Sequence, residues 1–195
     1  MDRQALVETH PLEPFFPEHA RLLMLGSFPP KRERWRMDFY YPNFQNDMWR
    51  IFGLVFFRDK DYFLAEQGNA FREGAIRSFL AEKGIALSDA GQRVVRLKDN
   101  ASDKYLEIVE PIDLHRALDC LPCCEAVVTT GQKATDTLLG LVGADAPRVG
   151  ECTRFVYGER HLRFFRMPSS SRAYPKPLAD KAAAYSRMFA ALGML

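Results

Sequence analysis

Hydrophobic and polar positions fall into blocks along this chain. Leu22-Leu23-Met24-Leu25 is a short continuous apolar run, stopped at once by Gly26-Ser27-Phe28-Pro29-Pro30. Such a run fits a strand covered on both faces, and proline, which has no N–H to give a ladder, ends it. A basic, aromatic, amide-rich loop follows. Met48, Ile51, Phe52 and Val55 then recur at helical spacing, with Asp47 placed to favour the helix start. Phe71, Ala75, Phe79 and Leu80 predict a second amphipathic helix, closed by Gly84 after Lys83. Gly84 to Asp89 reads as a strand with a polar end, whereas Arg93 to Glu110 shows no sustained period.

Pro111 to Leu121 predicts a short helix with Leu114, Ala117 and Leu118 inward. A strong β/α unit comes next: Ala126 to Thr130, Gly131, then a helix from Gln132 to about Leu141, ended by Gly140, Gly143 and Pro147. Arg154 to Tyr157 and His161 to Met167 read as strands. The last helix carries Leu178, Ala182, Tyr185, Phe189 and Leu192 along one stripe. Residues 1–20 form a lead-in with Pro11, Pro14 and Pro17, whose Phe15 and Phe16 are expected to dock on the body. Strands alternating with helices predict an α/β fold with a parallel sheet covered on both sides. A length of 195 residues suits a single domain, 1–195.

Composition narrows the classes. The apolar fraction of 47% and charged fraction of 27% are those of an ordinary globular chain. No apolar run is long enough to span a membrane. The first residues lack the apolar core of a signal peptide, so the cytoplasm is the expected location. Net charge is only +2, but Lys31, Arg32, Arg34 and Arg36 form one basic zone, and Arg148 to Lys176 holds a second. Two such zones suit phosphate contacts on one face, or plain solvated surface. Cys120, Cys123, Cys124 and Cys152 fit no complete metal or cluster ligand set, so reduced structural thiols are expected, with no metal and no cofactor.

Candidate chemistry gathers at three polar strand ends: Gly26 to Asp47, Ser88-Asp89, and Pro168 to Tyr174. In an open parallel sheet these meet on one rim, where ligands bind. A serine-rich turn before a helix can hold a phosphate through hydroxyls and free N–H groups, or simply cap the helix. Tyr40, Tyr41, Phe44 and Trp49 lie beside Asn43, Gln45 and Asn46; aromatic faces stack on bases and amides read base edges. Trp49 and Phe44 are the better core candidates, and Asn43 and Asn46 also suit turns or caps. Asp89 and Asp103 are candidate carboxylates, with capping or surface roles as the plainer assignment. His115 and His161 lie on ordinary periodic segments and His10 in the lead-in.

A strand ending in Gly-Ser-Phe-Pro, followed by Tyr40-Tyr41 and Asn46-x-x-Trp49, resembles the uracil-DNA glycosylase superfamily, and most of all its mismatch-specific and hypoxanthine-DNA glycosylase branch. Ile85 to Asp89, Thr130-Gly131-Gln132-Lys133-Ala134 and Met167-Pro168-Ser169-Ser170-Ser171 match that branch in order and spacing. The resemblance implies a three-layer α/β/α fold with a short, mainly parallel four-stranded sheet. It also implies a monomeric, monofunctional glycosylase that flips a damaged or mismatched base out of DNA, needs no cofactor, and starts base-excision repair. By motif position Tyr41 stacks on the base. Gly26, Ser27, Phe28 and Pro29 floor the pocket, with Asn43 and Asp89 beside them. Ser169, Ser170 and Ser171 pinch the DNA backbone, and Arg172, Ala173 and Tyr174 occupy the place of the wedge. Phe28 stands where many members carry a water-activating Asn or Asp, and in the hypoxanthine-type branch that role passes to an Asn matching Asn46. Pro30 replaces a common glycine and Asn43 a common histidine. Phe28 and Pro30 keep a second reading open, a catalytically silent nucleic-acid binder. A third, a domain for a free nucleotide or other small molecule, predicts no salt-dependent affinity for DNA.

Overall fold

A computed structural model describes residues 6–98 and 102–195. Three short strands come first to last in the small sheet: β1 (Val7–Thr9), β4 (Gly91–Arg96) and β5 (Leu106–Pro111), antiparallel in the order β1-β4-β5. The main sheet holds β2 (Leu22–Gly26), β3 (Ile85–Asp89), β6 (Ala126–Thr130), β7 (Cys152–Tyr157) and β8 (Arg160–Met167), in the order β3-β2-β6-β8-β7. The helices are α1 (Met48–Phe57), α2 (Glu73–Lys83), α3 (Leu114–Asp119), α4 (Gln132–Val142) and α5 (Leu178–Ala191).

The sheet has five strands rather than the expected four. Four run parallel, and β7 joins the edge antiparallel to β8. A tight two-residue connection at Gly158-Glu159 permits that hairpin, where a parallel neighbour would need a long crossover. Every residue of β2, β3 and β6 is buried, which is why β2 reads as an unbroken apolar run. Alternate side chains enter two cores. Leu22, Met24, Leu87 and Val128 pack on one side with Trp49, Phe52, Phe79, Tyr185 and Phe189 from α1, α2 and α5. Leu23, Leu25, Val127 and Phe164 pack on the other with Leu114, Leu118 and Leu138 from α3 and α4. The result is three layers, α/β/α, with Trp49 in the core and Phe44 packed against it.

Boundaries moved in a few places. Phe71 precedes α2 and is held by a bridge to Leu64. Gly140 sits inside α4, and Gly143, in left-handed backbone, closes it. The illegible stretch from Arg93 to Glu110 contains a hairpin of β4 and β5. Its period is broken by register shifts at Gly91/Arg93 and Arg93/Val94. The lead-in is more than a docked arm, because β1 pairs with β4 and Phe15 bridges Leu87 at the sheet edge. Its residues 1–5 lie outside the described chain. Cys124 is buried, its thiol 3.2 Å from the Ala126 carbonyl and pushed up to about 11 by desolvation. No described helix is long and apolar enough to cross a membrane.

Candidate active site

Register sets the site. Gly26 pairs with Asp89, Leu25 with Thr129, and Thr130 with Met167, so β2, β3, β6 and β8 all end on one rim. From β2 the chain goes first to β3 on one side and later to β6 on the other, and a parallel sheet opens a crevice at such a reversal. There the structure has a cleft of about 640 Å³. Its walls include Gly26, Ser27, Phe28, Pro29, Tyr41, Asn43, Asn46, Asp89 and the loop from Ser169 to Tyr174. The three polar strand ends therefore do share one cavity. A fourth, Thr130-Gly131-Gln132-Lys133, joins them.

Close packing explains the glycine at the end of β2. A Cβ on Gly26 would lie 2.6 Å from Asp89 Oδ1 and 3.2 Å from Tyr41 Oη. Tyr41 takes left-handed backbone at φ 52°, an uncommon conformation for a bulky residue. That turn brings its hydroxyl to Thr130 Oγ1 at 3.0 Å, while Thr130 in turn donates to the Leu25 carbonyl. Burial first, and the Asp89 charge second, raise the Tyr41 phenol well above its ordinary value, so it stays a neutral O–H at physiological pH.

The amides and the serines are more constrained than their sequence pattern shows. Asn46 Oδ1 accepts the Met48 N–H at 2.9 Å, closing the first turn of α1. Asp47 makes no cap bond with its side chain. Its carboxylate accepts from Arg172 Nε at 3.0 Å and meets Lys181 Nζ at 3.4 Å. Lys181 is 1% exposed and also donates to the Ser171 carbonyl at 2.8 Å, while the Asp47 N–H donates to the Ser170 carbonyl. Arg172 is thus tied down at its Nε, and the Ala173 and Tyr174 N–H groups donate to the Ser171 hydroxyl and carbonyl. The serines do not cap α5, which begins at Leu178 with Pro177 before it. Instead Ser169 and Ser171 hydroxyls accept from Ser171 and Ala173 N–H groups and shape the loop itself.

One group escaped the sequence reading. His10, assigned only to the lead-in, has a side chain 3% exposed and an Nε2 2.8 Å from Asp89 Oδ2. Nothing in the sequence signals this, because β1 must first pair with β4. Asp89 is accordingly neither a cap nor a surface residue. Asp103, on the short 3-10 turn Asp103–Tyr105, reaches the cleft wall. Burial raises its carboxyl above the ordinary value, and a Ser27 hydroxyl bond partly offsets that.

The two basic zones diverge. In the second, Arg160, Arg163 and Arg166 point at backbone carbonyls of Leu118, Leu121, Ala191 and Pro147 and hold loops together. From the first, Arg34 reaches the cleft, where it is joined by Arg96, Lys104, Lys133 and Arg172 against Asp89 and Asp103. The cleft wall among the described residues is therefore net positive, which favours a phosphate-bearing ligand. No group of three or more metal-binding side chains occurs among the described residues.

No family model and no curated protein matches this sequence. The solved structures do contain a counterpart. A solution NMR structure from Methanosarcina acetivorans, of a protein provisionally assigned as a uracil DNA glycosylase, superposes at TM-score 0.60. The match covers 94% of this chain and 99% of that one, at 20% identity. The two chains share a fold.

Proposed function

We propose that this protein is a DNA glycosylase that flips a deaminated base, uracil or hypoxanthine, into the cleft and hydrolyses its N-glycosidic bond, acting as a monomer without metal or cofactor. The observation that carries this reading is the convergence of Gly26, Tyr41, Asn46, Asp89 and the serine loop on one basic-rimmed cavity of about 640 Å³. That volume suits a flipped nucleotide. Cationic side chains at the rim would take phosphates, and the Tyr41 ring would stack on the base.

The chemistry asks little of the protein's acid–base groups. Breaking the bond places positive charge on the sugar and negative charge on the leaving base, and fixed dipoles near those centres lower the barrier. Asn46 is the proposed water-orienting group. Its amide plane is set by the Met48 N–H, and the second lone pair of Oδ1 remains to accept from a water.

The test is base release from end-labelled oligonucleotides carrying uracil, hypoxanthine, xanthine or mismatched thymine, single- and double-stranded, with alkali to reveal abasic sites. Asn46→Ala should slow release by roughly 100-fold or more, the scale of losing one oriented polar group in a transition state. Release unchanged by that substitution would remove Asn46 from the mechanism. Binding with no release from any substrate would favour the silent binder.

A further inference from the structure

Hydrolysis has a proton to place, and Asn46 cannot take it. A side-chain amide accepts and donates hydrogen bonds but is no base near neutral pH. Among the described residues of the cleft wall, the carboxylates are Asp89 and Asp103. Asp89 is already engaged by the His10 ring at 2.8 Å. Asp103 arrives from a different part of the fold, and its setting differs.

The β4–β5 hairpin carries it there. Arg96, the last residue of β4, donates from Nη2 to the Pro29 carbonyl at 2.6 Å and from Nε to Glu8 at 2.9 Å. The first contact ties the hairpin to the loop after β2, the second to β1. Beyond them the Leu97 N–H donates to the Tyr105 carbonyl, and the Tyr105 N–H to the Ser102 carbonyl. The Ser102 hydroxyl accepts the Lys104 N–H at 3.4 Å, so the turn holding Asp103 is closed from both ends. The Asp103 carboxylate accepts from the Ser27 hydroxyl on the cleft wall, and its charge is felt at the Tyr41 phenol. Asp89 on β3 opposes its ionised form, while Lys133 on α4 and Arg96 on β4 favour it. Burial outweighs these cations and raises its proton affinity above that of a free carboxylate. That makes it a better base than a carboxylate in water.

We propose that Asp103 is a catalytic residue of the cleft, the general base that takes the proton of the attacking water. The C1′–N bond breaks with its electron pair passing to the nucleobase. The water oxygen bonds to C1′, and one of its protons passes to Asp103. Asp103 then gives that proton to the anionic nucleobase, which restores the carboxylate and leaves a sugar hydroxyl and a neutral nucleobase. Asn46 orients the water and Asp103 deprotonates it. This rests on the glycosylase reading of the cleft, and the experiment separates the two.

Single-turnover release of uracil and hypoxanthine from oligonucleotides would be followed from about pH 4 to 9 for wild type, Asp103→Asn and Asp103→Glu. Fluorescence anisotropy would measure binding to an oligonucleotide whose uracil nucleotide is fluorinated at C2′ and resists cleavage. Asp103→Asn should slow release by roughly 100-fold or more. Its binding should be equal or tighter, because it takes a negative charge from a wall that meets phosphates. Wild-type release should fall as pH drops through a carboxyl value above the ordinary ~4, since the base must be ionised. Asp103→Asn should lose that acid limb, and Asp103→Glu, a carboxylate on a longer arm, should recover roughly tenfold of the rate. A slow Asp103→Asn that keeps the limb would make the residue structural and overturn the inference. Release at the wild-type rate would overturn it too, and both results leave the glycosylase standing. Where thermal unfolding shows Asp103→Asn misfolded, Asp103→Glu decides: a displaced limb supports the inference and an unmoved one overturns it. No release by the wild-type protein from any substrate would overturn this inference and the glycosylase together.

Discussion

Asp47 and Asp89 are both buried carboxylates near the same end of the sheet, and their neighbours assign them opposite work. Asp47 is 7% exposed and faces two cations, Arg172 and the buried Lys181. It binds the serine loop to the start of α1 and lines no part of the cleft. Asp89 is 5% exposed and meets one imidazole, with its second oxygen on the cleft wall. A carboxylate whose lone pairs are used by fixed cations is structural cement, because removing it strands those charges. One held by a single imidazole on a cavity wall adds its charge to that cavity.

That contrast is easiest to break by stability. Asp47→Ala should lower unfolding free energy by about 3–5 kcal/mol, since Lys181 would remain buried without its counter-charge. Asp89→Asn, which keeps an acceptor for His10, should change it by less than about 1 kcal/mol. Urea midpoints for the two variants would measure both, and equal losses would erase the distinction. Next in size is Gly26→Ala. Its new Cβ must displace Asp89 Oδ1 or Tyr41 Oη, so stability should fall by about 1–3 kcal/mol and base release should fall with it. Release untouched by this change would show that the position of Oδ1 does not matter.

The smallest effect concerns Asp103. Its folded-state carboxyl is raised, mainly by burial, so the native state binds the proton more tightly than the unfolded chain. Stability then declines as pH rises out of the carboxylate range. Asp103→Asn should therefore be slightly more stable than wild type at neutral pH, and the two should converge by about pH 3, where both side chains are neutral. Denaturant midpoints at the two pH values test this, and a variant less stable at neutral pH would mean that the ionised Asp103 is paired more strongly than its burial penalises it.

Local physics made much of this protein readable in one dimension. The unbroken apolar run from Leu22 to Leu25 announces a strand buried on both faces, the Gly26-to-Pro30 break announces its end, and the stripe from Leu178 to Leu192 announces α5. Each signal depends on neighbours within a few residues, and periodicity reports them directly. Alternating elements likewise predict a parallel sheet and a ligand rim at the strand ends. What lay beyond the sequence were the choices made between distant segments. His10 and Asp89 meet across 79 positions, and Lys181 and Asp47 across 134. No spacing rule connects them, because each pairing depends on sheet register and on which loops close over the rim. The serines looked the same whether they capped a helix or shaped a loop, and arginines looked the same whether they faced a phosphate or a carbonyl. Residue type sets what a side chain can do; the company brought to it by the tertiary fold sets which of those things it does.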